Sequence, residues 1–285
     1  MPTYSITESL VKTMKFKRLK MQSFRGISDL TLEFDIKGAN VIFGINGTGK
    51  SSILDALSLL LSRFLEWIGG VPLTEKVRVF NELDISNKDI LTILNITILL
   101  NGGEEGWEIS RSRNGVSQDS MHEMIRGAAN AIWRHWQNEP KYNLPLAVHY
   151  PVNRAVLDIS LEIPNKTQFK QIDAYEKALT GTRNDFASFF QWFRNQEDLE
   201  SELLRDDRDY QDSQLEAVRQ AIYSLIPDFY NLRVRRSPLR MTVTKKGQEL
   251  IINQLSDGEK CLPAMVGDLA RRLAIANPSL PDPLQ

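Results

Sequence analysis

The segment Gly44-Ile45-Asn46-Gly47-Thr48-Gly49-Lys50-Ser51 constrains this chain more than any other. It fits the pattern GxxxxGK[ST] in full, a string that arises by chance in about one chain of this length per hundred at average residue usage. Its flanks narrow the reading further. Asn40-Val41-Ile42-Phe43 is a short apolar run that predicts a buried strand leading in. Ile53, Leu54, Leu57, Leu60, Leu61, Phe64, Leu65 and Ile68 recur at three- and four-residue spacing and predict an amphipathic helix leading out. Strand, glycine loop and helix N-terminus together form a cradle for phosphate. The glycines let successive N–H groups curl inward around phosphate oxygens, and the helix adds the positive end of its dipole. In such a cradle Lys50 reaches the β and γ phosphates and the Ser51 hydroxyl ligates Mg²⁺. The binding set read here is Gly44, Asn46, Gly47, Thr48, Gly49, Lys50, Ser51 and Ser52.

Charge and cysteine usage exclude other classes. With 35 Lys+Arg against 36 Asp+Glu the net charge is −1, so the chain as a whole is no polycation and any nucleic-acid contact is local. One cysteine, Cys261, offers neither an intramolecular disulfide nor a thiolate cluster for zinc, which points to a reducing, cytoplasmic setting. The apolar stretches Leu91 to Leu100 and Ile53 to Ile68 are too short or too interrupted to span a bilayer, and the N-terminus lacks the apolar segment of a signal peptide, so no membrane partner is expected.

Residues 1–14 read as a polar tail. Leu30 to Ile36 alternates apolar and polar residues as a half-buried strand does, with Lys15 to Phe24 as its partner. Gly69-Gly70-Val71-Pro72 stops the helix, and Leu91 to Leu100 with Trp107 to Arg113 predict two strands around a turn from Gly102-Gly103 to Gly106. From 165 to 230 the period becomes helical, with Phe186, Phe189, Phe190 and Phe193 on one face, and Leu215 to Ile226 predicts a helix that Pro227 ends. Strand alternation returns at Leu232-Arg233-Val234-Arg235, Met241 to Thr244 and Leu250 to Ile252, with Lys245-Lys246-Gly247-Gln248 as a hairpin turn.

Three further strings carry a family resemblance. Leu255-Ser256-Asp257-Gly258-Glu259-Lys260 resembles the LSGGE/LSGGQ signature of the ABC ATPase class, with Asp257 where many members have glycine. Ser23-Phe24-Arg25-Gly26, followed by the Leu30–Ile36 strand and Asn40 to Gly44, resembles the opening of the SMC, RecF and OLD branch. Phe189-Phe190-Gln191-Trp192-Phe193-Arg194 with Glu197-Asp198 resembles the helical insertion of ATPase subunits from Septu-type and retron antiphage systems; a plain aromatic helix core accounts for the phenylalanines equally well. The resemblance implies an α/β P-loop ATPase head of mixed sheet and flanking helices, with ATP and Mg²⁺ as ligands. The implied layout is a lobe with the Walker A loop at 15–164, a helical insertion at 165–230 and a return to the lobe with the signature at 231–285. It also implies a homo-oligomer in which the signature of one subunit covers the γ-phosphate held by the loop of another. Ser256 and the Gly258 backbone would supply donors there, and Arg25 would approach the phosphates or else remain a solvated arginine on a basic edge.

The class also needs a Walker B segment, apolar residues followed by Asp-Glu, whose carboxylates orient Mg²⁺ and polarise water. None follows Lys260 before Gln285, so the expectation is a C-terminally incomplete head that binds ATP without a catalytic residue of its own for hydrolysis. His122-Glu123 fails as a zinc motif because position 126 is arginine. His149-Tyr150-Pro151-Val152-Asn153-Arg154, closing an apolar strand, reads as a γ-phosphate sensor or a surface loop, and Arg233, Arg235, Arg236, Arg240, Lys245 and Lys246 as a nucleic-acid contact or a solvated face. By resemblance the function is an ATP-gated regulator of a separately encoded HNH-type nuclease in phage defence, with a reverse transcriptase, retron nucleic acid or DNA as further partners. The alternatives are a RecF/OLD-like DNA-repair ATPase and a non-hydrolysing nucleotide-gated scaffold.

Overall fold

The computed structural model describes residues 14–69, 78, 80–100, 103–121, 123–139, 141–151, 169–180 and 186–280. Of the expected tail 1–14, residues 1–13 lie outside them, as do Gly70 to Pro72 and Val152 to Arg154, whereas Met14 already belongs to the first strand. The chain is mixed α/β and divides into two compact units, Met1–Pro140 with Leu179–Gly181, and Lys141–Ala178 with Thr182–Gln285.

In the first unit the alternating segments pair as the pattern requires. β1 (Met14–Phe24), β2 (Ile27–Glu33), β3 (Leu91–Leu100), β4 (Gly103–Ser112) and β5 (Ser117–Met121) form an antiparallel sheet in the order β2-β1-β3-β4-β5. Leu19 and Met21 of β1, Leu94, Ile96 and Ile98 of β3, and Trp107 and Ile109 of β4 are buried. Helix α1 (Lys50–Gly69) buries Ile53, Ala56, Leu60, Phe64 and Ile68, while Leu54 remains exposed. Helix α2 (Glu123–Asn138) packs on α1 and buries Ile125, Ala129 and Ile132.

Two expectations need correction here. Gly106 is not in the turn: β4 begins at Gly103, and Gly106 pairs with Thr97 inside the ladder. Glycine is needed there because a Cβ would lie 2.6 Å from the Ile96 carbonyl oxygen. The apolar run Asn40 to Phe43 is not a strand. A strand needs a hydrogen-bonding neighbour on at least one edge, and among the described residues none pairs with it. Val41 is 68% and Phe43 88% exposed. The chain instead turns after β2, where Asn40 Oδ1 accepts from the Asp35 N–H at 2.8 Å and Asn40 Nδ2 donates to the Asp35 carbonyl at 3.0 Å.

The second unit holds helices α3 (Phe186–Leu203) and α4 (Ser213–Leu225), the antiparallel strands β6 (Phe229–Arg236), β7 (Leu239–Lys245) and β8 (Gln248–Ile251), and helix α5 (Asp257–Ala276). The β7–β8 turn places Lys246 and Gly247 at φ 49° and 81°, the left-handed pair that a two-residue hairpin with right-handed twist demands. Phe189, Phe190 and Phe193 of α3 and Leu215, Val218 and Ile222 of α4 are buried, and both helices pack on α5. The helices at 165–230 thus share one compact unit with the segment carrying Leu255 to Lys260. Residues 142–151 carry no strand, in contrast to the apolar strand expected before His149. They are tied down by polar bonds instead: Tyr150 donates its hydroxyl proton to Asp268 on α5 at 3.0 Å.

Asp268 sits in a buried charge cluster. Arg271 Nη2 reaches it at 2.7 Å and Arg272 Nε at 2.8 Å, while Arg272 Nη1 donates to the carbonyls of Ala174 at 2.7 Å and Glu176 at 2.9 Å. Burial works to raise the Asp268 carboxyl, but the two guanidinium charges outweigh it and hold it below its ordinary value. Burial, then the Asp268 charge, pushes the Tyr150 phenol well above its usual range. Replacing Asp268 by Ala leaves two buried arginines without their carboxylate, and is expected to cost about 3–5 kcal/mol in urea unfolding of the second unit. Gly106→Ala is expected to lower the stability of the first unit by about 1–3 kcal/mol in the same measurement, because its clash is with backbone that cannot step aside.

Candidate functional site

The glycine loop is built by two backbone conformations that only glycine adopts cheaply. Gly47 and Gly49 have φ of 86° and 92°, and the chain enters α1 at Lys50. Thr48 Oγ1 donates to the Ile45 carbonyl at 2.9 Å and closes the turn from within. Lys50 Nζ folds back over the loop and donates to the carbonyls of Gly44 and Ile45, each at 2.7 Å. The first helical bond runs from the Ile53 N–H to the Gly49 carbonyl at 3.1 Å, so the N–H groups of Lys50, Ser51 and Ser52 precede the intrahelical ladder. Gly44, Asn46, Gly47, Thr48 and Ser51 are exposed. A cationic amine, a curled glycine backbone and a helix start therefore meet at one exposed loop, the donor set that a phosphate anion calls for. Lys50 would hold the phosphates of a nucleotide, and Ser51 would offer its hydroxyl to the accompanying Mg²⁺, which neutralises phosphate charge.

Arg25 stands beside this loop and is not a solvated arginine. It occupies the β1–β2 turn at φ 54°, with Ile27 two residues on packed against Gly49, where a Cβ would lie 3.2 Å from Ile27 Cδ1. Its Nη1 reaches Asp55 on α1 at 2.5 Å and its Nε reaches the buried Asp84 at 3.0 Å. Sequence reasoning missed both carboxylates and their second cation, Arg78, which pairs with the same two acids. Asp55, one helical turn beyond Ser51, was the only local signal.

The string Leu255 to Lys260 forms the start of α5 in the second unit. Leu255 is buried, whereas Ser256, Asp257 and Gly258 are exposed. Ser256 is the N-cap, and the Glu259 carboxylate accepts from its N–H at 3.2 Å and its hydroxyl at 2.9 Å. Lys245 of β7 pairs with Glu259, and Lys260 approaches Asp257 at 3.4 Å. The bond from Lys245, then those from Ser256, hold the Glu259 carboxyl down to about 2.

The basic group of the second unit is largely neutralised at close range. Arg233 and Arg235 share Glu249 at 3.2 and 2.7 Å, Arg236 pairs with Asp198 at 2.6 Å, Lys245 pairs with Glu259, and Lys246 lies 3.9 Å from Asp228. Glu249 is held down to about 2, chiefly by its bond from Arg235. Among the described residues no group of three or more His, Cys, Asp or Glu has the arrangement of a metal site, and no helix is long and apolar enough to cross a membrane.

Known proteins bear on this geometry as follows. A family model described as an AAA domain matches residues 18–229. The chain is 27% identical to the Retron Ec83 probable ATPase of Escherichia coli, with 93% of this chain and 60% of that protein covered. It is also 27% identical to the Retron Vc95 probable ATPase of Vibrio cholerae, with 95% and 62% covered. The DNA double-strand break repair Rad50 ATPase of Archaeoglobus fulgidus is 35% identical across 40% of this chain and 11% of that protein. The chain thus spans about three fifths of the length of the two retron relatives.

A depressed carboxyl stabilises fully above its unfolded value, about 4.3 for glutamate, and the stabilisation is lost as pH falls through the folded value. The Glu259 cap is therefore expected to survive at pH 3 and to titrate near 2 by carboxyl NMR. Lys245→Ala should move that midpoint upward, toward the ordinary value.

Proposed function

We propose, from the premise that this chain belongs to the AAA domain family, that it binds Mg-ATP at Gly44 to Ser52 as the nucleotide-binding part of an ATPase of the SMC/RecF and retron type. The observation that carries this reading is the loop itself: Gly47 and Gly49 at positive φ, opening directly into α1, with Lys50 folded back onto the Gly44 and Ile45 carbonyls. The helix-start N–H groups and Lys50 supply the positive potential, and the glycine backbone supplies close approach.

In this reading two copies close on the nucleotide, with Leu255, Ser256, Asp257, Gly258, Glu259 and Lys260 of one copy against the loop of the other. The exposure of Ser256, Asp257 and Gly258 at a helix N-terminus supports it: Ser256 donates to Glu259, but the N–H groups of Asp257 and Gly258 precede the first helical bond, from the Lys260 N–H to the Ser256 carbonyl, at the positive end of the helix. In the whole protein, ATP-driven closure and hydrolytic opening would gate an associated nuclease in antiphage defence, a role that rests on similarity to the two retron ATPases. No run of apolar residues followed by Asp-Glu lies between Lys260 and Gln285, so the 285-residue chain is expected to bind ATP with little turnover. Similarity to the Rad50 repair ATPase supports a second reading, a DNA-dependent ATPase. The pairing of Arg233, Arg235, Arg236, Lys245 and Lys246 with nearby carboxylates weighs against it.

Titration with a fluorescent ATP analogue and Mg²⁺ tests the site. Lys50→Ala is expected to weaken binding by about tenfold or more, equivalent to about 1.4 kcal/mol or more, without lowering the melting temperature of the free protein. Equal binding by both proteins would refute the assignment. Steady-state phosphate release no higher than that of Lys50→Ala would support a head that binds ATP without completing the reaction, and DNA-stimulated release would favour the second reading.

A further inference from the structure

Arg25, Asp55, Arg78 and Asp84 form a closed tetrad of alternating charge beside the phosphate loop. The Arg25 guanidinium divides its fork. Its Nε and Nη2 both lie 3.0 Å from Asp84 Oδ1, and its Nη1 lies 2.5 Å from Asp55 Oδ2. Arg78 Nη1 takes the other Asp55 oxygen, and its Nη2 lies 3.6 Å from Asp84.

The two carboxylates differ in kind. Asp84 is 1% exposed and doubly anchored: its Oδ2 accepts from the Asn81 N–H at 3.2 Å, and its backbone carbonyl accepts from the Arg25 N–H at 2.9 Å. That second bond also fixes the left-handed turn carrying Arg25. Asp55 sits on α1 one turn past Ser51, so an unneutralised charge there would repel an anion in the loop. Asp55 and Asp84 share both arginines, so Arg78 remains beside Asp55 if one end of Arg25 turns away.

We propose that this tetrad is a positioning device for the phosphate site: Asp84 holds the Nε edge of Arg25 so that its Nη1 end passes from Asp55 to a nucleotide phosphate, while Arg78 keeps Asp55 neutral. Asp84 and Arg78 are then positioning residues that act through Arg25. The proposal rests on the nucleotide reading of the loop and adds to it the group that aims the arginine and the group that releases it. A bidentate guanidinium keeps direction while it exchanges one partner, which a lysine amine cannot do.

The experiment is Mg-ATP binding by the full 285-residue chain and its variants, with the melting temperature of each free protein recorded. Asp84→Asn and Arg25→Ala are each expected to weaken ATP binding by about tenfold. In the Arg25→Ala chain, Asp84→Asn should add no more than about twofold, because its effect runs through Arg25. Arg78→Met should weaken binding by about fivefold, by removing one cation from Asp55 and so holding Arg25 more tightly to it, and adding Asp55→Asn should restore it. A purely structural role predicts no such rescue, and this arm does not depend on Asp84→Asn folding. Losses at Asp84 and Arg25 that multiply, or an Arg78→Met loss that Asp55→Asn deepens, would overturn the proposal while leaving the loop assignment intact, provided Lys50→Ala still weakens binding by about tenfold or more. If Lys50→Ala binds as the parent does, the loop reading fails and the proposal fails with it.

Discussion

The usefulness of the glycine loop depends on how firmly α1 is held, because a helix start can face an anion only as well as the helix axis is fixed. That axis is fixed by Trp107 of β4. Its indole N–H donates to the Leu60 carbonyl at 3.0 Å, its ring stacks on Phe64 with centroids 5.6 Å apart, and Trp67 meets it edge-on at 6.2 Å. Leu60, Phe64 and Ile68 are buried on the same face, each contributing about 1.5–3 kcal/mol relative to exposure. The loop needs little structure of its own once the helix behind it is immobile, which explains how an exposed segment with few bonds can still offer a shaped site.

Charge in this chain is organised by local cancellation. Asp268 with Arg271 and Arg272, the Arg25–Asp55–Arg78–Asp84 tetrad, and the Arg233/Arg235–Glu249 pairs each place cations against carboxylates at hydrogen-bonding distance. Glu197 belongs to the same scheme: burial raises its carboxyl, and it is satisfied by the Val234 N–H at 2.9 Å with Arg236 and Arg219 nearby. The positive potential of the loop has another source, the backbone N–H groups and the start of α1, to which Lys50 adds its charge.

How much could be read in the sequence follows from the range of the signals. The loop, its helix, the paired strands β1 and β2 and the β7–β8 hairpin are set by residues within a few positions of one another, and they were legible. Asn40 to Phe43 has the composition of a strand, but composition cannot supply the neighbour that makes one. Gly106 looked like punctuation, yet its role is set by the Ile96 carbonyl ten residues away across the ladder. Helix α2 carries its period in Ile125, Ala129 and Ile132, but Gly127 inside it lowers the local helical signal. The fates of Arg25 and of the basic residues around β6 depended on carboxylates up to 59 positions away, which no local pattern encodes.

The most direct test of the account is amide hydrogen exchange by mass spectrometry with and without Mg-ATP. Nucleotide held by the glycine backbone and the start of α1 should slow exchange most strongly in peptides covering Gly44 to Ile53, where N–H groups precede the helical ladder. Binding of ATP that protects other segments and leaves Gly44 to Ile53 unchanged would contradict it.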